Sequence, residues 1–373
     1  MKLLKESLNL KDFKDDSSLH INKTLVIYTD PYFTPAFNSH HPKILKYFEE
    51  QLNIEGIDTK LILGHSSKYA ISGKLFRNFF LFADLILQIV QLSLFAVKSR
   101  KAYNRILVLN PNCDPIWLFL VVFLRFLLGL HIDLRIRFIG TIDRFFFSTS
   151  DLKKLYFAFI RKIVEPQDRF SSESLSYTRL LSHLLKKDVE YIEYPPVDYF
   201  GKTTNRRSHR VPVFLFVGYP RVDKGYLELL SIIPVLRELH LCTFRVQAYN
   251  GKDDNLTEVS KELSKLDYVE MLPPELSDIQ VADELANCDL LLMPYKLENF
   301  RFRNSAVLFS SLYYGKFSAS FNGTALHESA GLFNLAVDLD LLLSGIATLD
   351  KVKRNSSKLS TDQVQAKWKD FLL

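Results

Sequence analysis

Short apolar runs alternate with longer amphipathic runs along the whole 373-residue chain, and this alternation restricts the fold more than any other feature. The runs with strand character cover 24–29, 59–64, 105–110, 134–139, 162–166 and 189–194, then 213–218, 243–249, 268–272, 289–294 and 316–321. Strands that are apolar throughout belong to parallel sheets whose two faces are covered by helices. The sequence therefore predicts an α/β fold built from doubly wound parallel sheets.

A polar and basic segment, GKTTNRRSHR, divides the chain into two halves of similar length. It spans 201–210 and precedes a new apolar strand, which is typical of a domain boundary. We predict a Rossmann-like domain over 1–200, a second over 211–358, and a C-terminal helix over 359–373 that packs back on the first domain. The two domains would face each other across a cleft.

The charge balance and the cysteines exclude several functional classes. Lys plus Arg number 48 and Asp plus Glu number 42, a net charge of +6 that is far below that of a protein that coats nucleic acid. The three cysteines are widely separated and form no CxxC pair, which argues against a disulfide framework or a structural zinc site. Residues 1–20 are polar and lack an apolar core, so we expect no secretory leader and a cytoplasmic protein.

Two segments of the first half are unusually apolar and rich in phenylalanine. The segment 74–98 carries a narrow stripe of polar residues at helical spacing, and 116–130 is apolar except for Arg125. The second segment is shorter than the roughly 20 residues that cross a bilayer, and the polar stripe argues against a span by the first. Both are predicted to be helices that cover the sheet. Alternatively, one of them also enters the interface of an anionic membrane, with Lys and Arg near its ends binding lipid phosphates.

The segment VFLFVGYPRVDKGYLELL, at 213–230, carries the first candidate binding loop. A strand ends at Gly218, a tight loop holds Arg221 and Lys224, and a helix is predicted from about Gly225. Such loops meet at the carboxyl edge of the sheet, where ligands bind, and a helix N-terminus there favours an anion. Because arginine offers a fork of donors and lysine a point charge, the pair suits a diphosphate.

A second strand-to-helix loop lies within 289–324. The residues that follow the end of its strand are Tyr295, Glu298, Arg301, Arg303, Asn304 and Ser305. A helix is predicted from Asn304 or Ser305, either of which is a good N-cap, to Tyr314. Its first amides would face the same edge as the first loop, so that two helix N-termini converge on one diphosphate.

These two loops resemble those of the GT-B glycosyltransferases, in particular the retaining, family 4-like group. The likeness rests on G-x-x-R-x-x-K-G over 218–225 and on P-Y…E…N-S…G-K over 294–316. It covers about 213–325 and is only architectural over the first half. The resemblance implies that the second domain binds a nucleotide-sugar and that the first binds an acceptor.

The resemblance also implies roles for individual residues. The implied donor-binding residues are Gly218, Arg221, Lys224, Tyr295, Asn304, Ser305 and Ser310. Arg221 and Lys224 would grip the diphosphate, and Ser305 with the helix amides would complete the grip. Glu298 stands for the family's glutamate near the transferred sugar. The family's ribose-binding glutamate is replaced here by Ser310, a hydroxyl where a carboxylate is usual.

In the first domain the ends of the strands should gather at the cleft. Asp143 follows the fourth strand and His40 follows the first, and either could take a proton from an acceptor hydroxyl or orient it. Each also has a structural interpretation, His40 as a helix cap beside Pro42 and Asp143 as the partner of a nearby arginine. With Glu298, these two residues are the catalytic candidates.

The sequence thus predicts a glycosyltransferase that moves a sugar from a nucleotide-sugar to an acceptor hydroxyl. Arg221, Lys224 and the helix ends would stabilise the charge that develops on the departing diphosphate, so no metal ion or other cofactor is expected. The apolar helices favour a lipid-linked or polysaccharide acceptor at the cytoplasmic face of a membrane, as in polysaccharide biosynthesis, and nothing favours a nucleic-acid partner. The alternatives are a sugar-nucleotide epimerase and a GT-B-fold scaffold whose catalysis has been altered.

Overall fold

The computed structural model describes residues 24–30, 40–54, 57–63, 74–113, 115–138, 150–195, 211–347 and 357–372. These residues form two six-stranded sheets, one in each half of the chain, and every strand pairing is parallel. Helices connect the strands in both halves. The predicted α/β fold with doubly wound parallel sheets is confirmed.

The first sheet has the strand order β2-β1-β3-β4-β5-β6. Its strands are β1 (Thr24–Asp30), β2 (Asp58–Leu63), β3 (Arg105–Cys113), β4 (Asp133–Phe138), β5 (Arg169–Ser172) and β6 (Val189–Tyr191). Its helices are α1 (His40–Ile54), α2 (Lys74–Ser99), α3 (Pro115–Leu128), α4 (Ser150–Ile163) and α5 (Leu175–Leu185). Because the chain moves one way after β1 and the other way after β2, right-handed crossovers put α1 on one face and α2 to α5 on the other.

The packing of β1 agrees with this arrangement. Leu25 and Ile27 belong to the core that α2, α3 and α4 cover, whereas Val26 and Tyr28 pack on the α1 side with Phe48. Alternate residues of one strand therefore enter two separate hydrophobic layers, which explains why the strand is apolar at every position.

The second sheet has the strand order β12-β11-β10-β7-β8-β9. Its strands are β7 (Val213–Phe216), β8 (Thr243–Gln247), β9 (Val269–Leu272), β10 (Leu290–Met293), β11 (Phe317–Ser320) and β12 (Ala336–Asp338). Its helices are α6 (Leu229–His240), α7 (Asp254–Leu263), α8 (Asp278–Asn287), α9 (Leu297–Phe300), α10 (Ala306–Tyr313), α11 (Ala325–Gly331) and α12 (Leu339–Leu343). The order reverses between β7 and β10, so the loops that follow these two strands lie side by side at the carboxyl edge.

Two strand predictions need correction. The run 162–166 is not a strand, because α4 continues to Ile163 and the fifth strand is Arg169–Ser172. The short twelfth strand, Ala336–Asp338, was not predicted. The strands β5 and β12 are only four and three residues long, and each contains polar residues, so neither carries an apolar run of its own.

Only part of the polar stripe of α2 is buried. Asp84 and Gln88 are only 6% and 3% exposed, and the Gln88 side-chain amide donates to the Asp84 carboxylate at 3.3 Å. Leu87 and Leu94, by contrast, are 52% and 57% exposed. The helix therefore packs its apolar core face on the sheet, buries two residues of its polar stripe beside that face, and leaves other apolar side chains in contact with solvent.

The one charge of α3 is also turned inward. The Arg125 guanidinium is 2% exposed and donates to both carboxylate oxygens of Asp168, each at 2.8 Å. Asp168 in turn accepts the backbone amides of Leu134 and Glu165, both at 2.9 Å. The buried ion pair is thus fully hydrogen-bonded, as a desolvated pair must be to be tolerated, and it ties α3 to β4. No helix within the described ranges is long and apolar enough to cross a membrane.

The C-terminal helix α13 (Thr361–Leu372) packs on the first domain, on the α1 face. The Trp368 ring contacts the Phe48 ring with 5.0 Å between centroids, and its indole N–H donates to the Glu193 carbonyl at 3.0 Å. The Lys367 ammonium donates to the Glu193 carboxylate at 2.7 Å. The C-terminal end of the chain therefore returns from the second domain and packs on the first.

Candidate functional site

Two glycines shape the first binding loop. Gly218 follows β7 with φ of +103°, and its amide donates to the Gln247 side chain at 2.8 Å. A Cβ there would lie 3.2 Å from the Lys224 ammonium, so the absence of a side chain lets Lys224 approach the backbone. Gly225 has φ of +72°, and a Cβ on it would collide with the carbonyl oxygen of Pro294. This close approach brings the loops after β7 and β10 together, and only glycine permits it.

The helix predicted from Gly225 begins later. A 3₁₀ turn covers Val222–Lys224, and α6 starts only at Leu229. The prediction that a helix N-terminus lies directly behind Lys224 is therefore wrong. Of the two helix starts that were expected at the diphosphate, α10 remains, since it begins immediately after the second loop.

Arg221 lies in the first loop, half-exposed, and pairs with Asp223. Its guanidinium donates two hydrogen bonds to the Asp223 carboxylate, both at 2.9 Å. The same carboxylate lies 3.8 Å from the Arg303 guanidinium of the second loop. Asp223 thus holds the two arginines at one place.

Lys224 interacts with the charges of both arginines. Burial, together with the charges of Arg221 and Arg303 and against that of Asp223, lowers the pKa of its ammonium to about 7. Its nitrogen lies over the Tyr295 ring, 5.7 Å from the centroid. No carboxylate of the described residues lies within 4.0 Å of it. Three cationic side chains therefore face one carboxylate, an imbalance that favours a bound anion.

Arg303 was seen in the sequence only as a loop residue. Its guanidinium stacks over the Phe300 ring at 5.2 Å, and burial together with Arg221 lowers its pKa. The carboxylates of Asp223 and, from the first domain, Glu173 act in the opposite direction. Glu173 itself forms an ion pair with the buried Arg137 at the ends of β5 and β4. Arg303 therefore interacts both with the charges of the first loop and with the first domain.

The second loop is fixed to the first domain by Asn304. Its side-chain amide donates to the Glu173 carbonyl and to the Ser329 hydroxyl, both at 2.7 Å. Asn304 is buried and the residue after it, Ser305, is the N-cap of α10, as predicted. The Ser305 side chain makes no capping hydrogen bond, so the first amides of α10 lack a side-chain acceptor from their cap. Asn304 thus positions the loop, whereas Ser305 presents the helix end.

The remaining predicted donor-side residues occupy different environments. Tyr295 is buried against Phe300, and burial raises the pKa of its phenol to about 12. Ser310 is 5% exposed within α10, and its hydroxyl donates to the Ala306 carbonyl at 2.9 Å. Glu298 is exposed on α9, in the loop between β10 and α10. Ser310 therefore has a hydrogen-bond partner of its own helix, whereas Glu298 is open to a ligand.

The predicted acceptor-side residues are only partly described. His40 is the first residue of α1, and its side chain lies outside the described part of the structure, as does the whole of Asp143. At the carboxyl edge of the first sheet, Asp30 and Asn110 are fully buried at the ends of β1 and β3. Within the described ranges no group of three or more His, Cys, Asp or Glu is placed to hold a metal ion.

Comparisons with known proteins find relatives by structure alone. No protein-family model and no curated protein sequence matches the chain. A glycosyltransferase from Rickettsia africae ESF-5 has a TM-score of 0.55 and 14% identity, over 94% of this chain and 99% of that one. Anabaena HepE, in complex with UDP and glucose, has a TM-score of 0.55 and 11% identity, over 93% and 98%.

A third solved structure belongs to a different class of enzyme. The UDP-GlcNAc 2-epimerase of Methanocaldococcus jannaschii, in complex with UDP-GlcNAc and UDP, has a TM-score of 0.51 and 9% identity, over 93% of this chain and 99% of that one. At such identities a likeness establishes the fold. The chain therefore has the GT-B architecture of two Rossmann-like domains, which these solved structures share with it.

Proposed function

We propose that the protein is a glycosyltransferase that moves a sugar from a nucleoside-diphosphate sugar to an acceptor hydroxyl, with retention of anomeric configuration as in the family 4-like group. The observation that carries the proposal is the cluster of Arg221, Lys224 and Arg303 around Asp223, at the carboxyl edge of the second sheet. The solved structures of similar fold that contain UDP or a UDP-sugar support a nucleotide-sugar as the ligand.

The chemistry requires departure of a nucleoside diphosphate. Negative charge grows on the β-phosphate as the glycosidic bond breaks, and fixed cations stabilise that charge without reorganising. The guanidinium groups of Arg221 and Arg303 supply two of these cations, and a bound anion raises the pKa of the Lys224 ammonium and so favours its charged form. The first amides of α10 add the positive end of a helix. With three cations at the diphosphate, we propose that no metal ion is needed.

The catalytic candidates keep the roles that the sequence gave them. Glu298 is proposed to contact the transferred sugar, and Asp143 or His40 to orient the acceptor hydroxyl or receive its proton. Gly218, Tyr295, Asn304 and Ser305 are proposed to shape the donor pocket rather than to react. We also propose that Ser310 contacts the ribose through its hydroxyl oxygen, since the hydroxyl hydrogen is donated to the Ala306 carbonyl within α10.

The acceptor is proposed to be a lipid-linked glycan or a growing polysaccharide at the cytoplasmic face of a membrane. The apolar outer faces of α2 and α3 support this part, because they would bring the cleft to a lipid surface. Nucleic acid is not expected as a partner, since the net charge is small.

A screen of nucleoside diphosphates and their sugars by thermal shift tests the proposal, because a ligand of the native state raises the melting temperature. UDP-glucose and UDP are the first probes. A binder should lose at least tenfold in affinity in Arg221→Ala and in Arg303→Ala, since each substitution removes a charge-assisted contact. Arg237→Ala is the matched control, because Arg237 lies on α6 and donates to the Cys242 carbonyl instead. Absence of binding by any nucleoside diphosphate would refute the proposal.

The epimerase alternative is favoured by one observation, the M. jannaschii neighbour. It is tested by incubating the protein with UDP-GlcNAc and no acceptor. Formation of a second sugar isomer would establish epimerisation, whereas a glycosyltransferase would turn over only when an acceptor is present. A scaffold with altered catalysis would bind without either reaction.

A further inference from the structure

One face of the first domain presents apolar side chains to solvent. Among the side chains that the structure describes in α2, α3 and α4, the apolar ones that are more than half exposed are Leu87, Leu94, Phe126, Leu127, Leu128 and Leu155. The three helices lie on the same face of the first sheet and pack on one another in the order α2, α3, α4. Contiguous apolar patches of this kind mark contacts with another apolar phase.

The orientation of α2 and α3 on the sheet also favours an apolar contact for their outer surface. Three polar residues of these helices are buried, although their helical spacing would let them face water. They are Asp84 and Gln88 of α2 and Arg125 of α3. A helix that covers a sheet in water alone turns its polar side outward. These two helices instead bury part of their polar residues and leave leucine and phenylalanine side chains exposed, so their outer surface is matched to an apolar environment.

Basic side chains border one end of the patch. In a parallel sheet with right-handed crossovers, α2, α3 and α4 run in the same direction and end at the same edge. At that edge the exposed residues include Lys98, Arg100, Lys101, Arg161 and Lys162. The only acidic residue of α2 and α3, Asp84, is buried. An apolar surface with a cationic border complements the phosphates and acyl chains of an anionic lipid leaflet.

We infer that the outer face of α2, α3 and α4 docks on an anionic lipid bilayer, with Leu94 and Phe126 entering the acyl region and the basic edge binding lipid phosphates. The inference rests on the proposed function only in that a bilayer would deliver the lipid-linked acceptor. A second copy of the chain that docked with its helices parallel would set one cationic border against another, which costs free energy, whereas lipid phosphates neutralise that border.

Cosedimentation with vesicles tests the inference. The full chain is mixed with vesicles of phosphatidylcholine alone or with about one third phosphatidylglycerol, at 50 and 300 mM NaCl. We expect binding to the anionic vesicles at low salt that weakens at high salt. Leu94→Glu and Phe126→Glu should each lower the partition coefficient by about tenfold or more, since each removes the burial of a large apolar side chain.

Ile279→Glu is the matched control, because Ile279 is 68% exposed on α8 of the second domain. It should bind vesicles like the unmodified protein. Lys98→Gln with Lys101→Gln should lower binding to the anionic vesicles by about fivefold per charge and reduce its salt dependence. Circular dichroism melts of all variants confirm that they are folded.

Three results would overturn the inference. The first is that the unmodified protein does not sediment with anionic vesicles at 50 mM salt, and the second is that Leu94→Glu binds as well as Ile279→Glu. The third is that sedimentation velocity shows a dimer that Phe126→Glu dissociates while vesicles are not bound. A UDP thermal shift on the same samples separates the two proposals. A retained shift without vesicle binding refutes only the docking surface, and vesicle binding without any nucleotide shift refutes only the glycosyltransferase.

Discussion

Lys224 makes the affinity of the proposed donor site depend on pH in a way that can be calculated. Burial lowers the pKa of its ammonium to about 7 in the free protein. At pH 7 about half of the molecules carry the ammonium, and at pH 9 about 1% do. An anion binds the charged form better, so it raises this pKa and binding takes up protons.

The size of the effect follows from these fractions. If only the charged form binds, the dissociation constant of a nucleotide-sugar rises by about 50-fold between pH 7 and pH 9. Proton uptake at pH 7 is about half a proton per ligand. UDP-glucose is a suitable probe, because its diphosphate is a diester and does not titrate in this range.

Isothermal titration calorimetry measures both quantities. Kd is followed from pH 7 to pH 9, and the enthalpy at pH 7 is compared in two buffers of different ionisation enthalpy, Pipes and Tris. Lys224→Arg is the control, because arginine keeps its charge throughout and should give an almost constant Kd. A constant Kd in the unmodified protein, with no proton uptake, would refute the assignment of Lys224 to the anion site.

The remaining predictions concern stability. Gly225→Ala should leave little folded protein, because a Cβ would collide with a backbone carbonyl. Gly323→Ala is the control. Gly323 has φ of +84° and its nearest atom is 3.5 Å away, so this variant carries backbone strain alone and should still give a melting transition. Asn304→Ala removes two buried hydrogen bonds and should lower the free energy of unfolding in urea by about 1–3 kcal/mol; no change would contradict its positioning role. Trp368→Ala should cost about 3–5 kcal/mol in the same assay, unless α13 is not part of the core. Because the folded protein holds the Lys224 proton more weakly than the unfolded chain does, its stability should rise by about 2 kcal/mol from pH 7 to pH 9 relative to Lys224→Met, and parallel pH curves would disprove this.

The strands that position the site could be predicted because burial on both faces is a local property. VFLF of β7 and LLLM of β10 are apolar at every position, and the structure buries all eight residues. The short fifth strand, RFSS, was not predicted because it contains a single apolar residue. Its two serines are nevertheless buried, at the carboxyl edge of the sheet. Its neighbour KIVEP looks more like a strand, but its first two residues end α4, so residue preference favoured the wrong segment.

The candidate site was predictable in its residue types but not in its arrangement. Arg221 and Lys224 stood out by their place between a strand and a helix, whereas Arg303 looked like any other loop arginine. Its partnership with them depends on the reversal of strand order between β7 and β10, which brings two loops about 80 residues apart to one edge. The later start of α6 depends on the 3₁₀ turn at Val222–Lys224, whose geometry involves contact with the β10 loop.

The sequence alone determined that the chain forms two parallel sheets with helices between the strands, because a strand buried on both sides must be apolar throughout. It also determined that α2 has a polar stripe, since spacing fixes which residues share a side of a helix. Only the tertiary structure decided which way that stripe points. Asp84 and Gln88 face inward, and Arg125 reaches Asp168, because a helix turns toward the partners that its neighbours offer, and spacing says nothing about those partners.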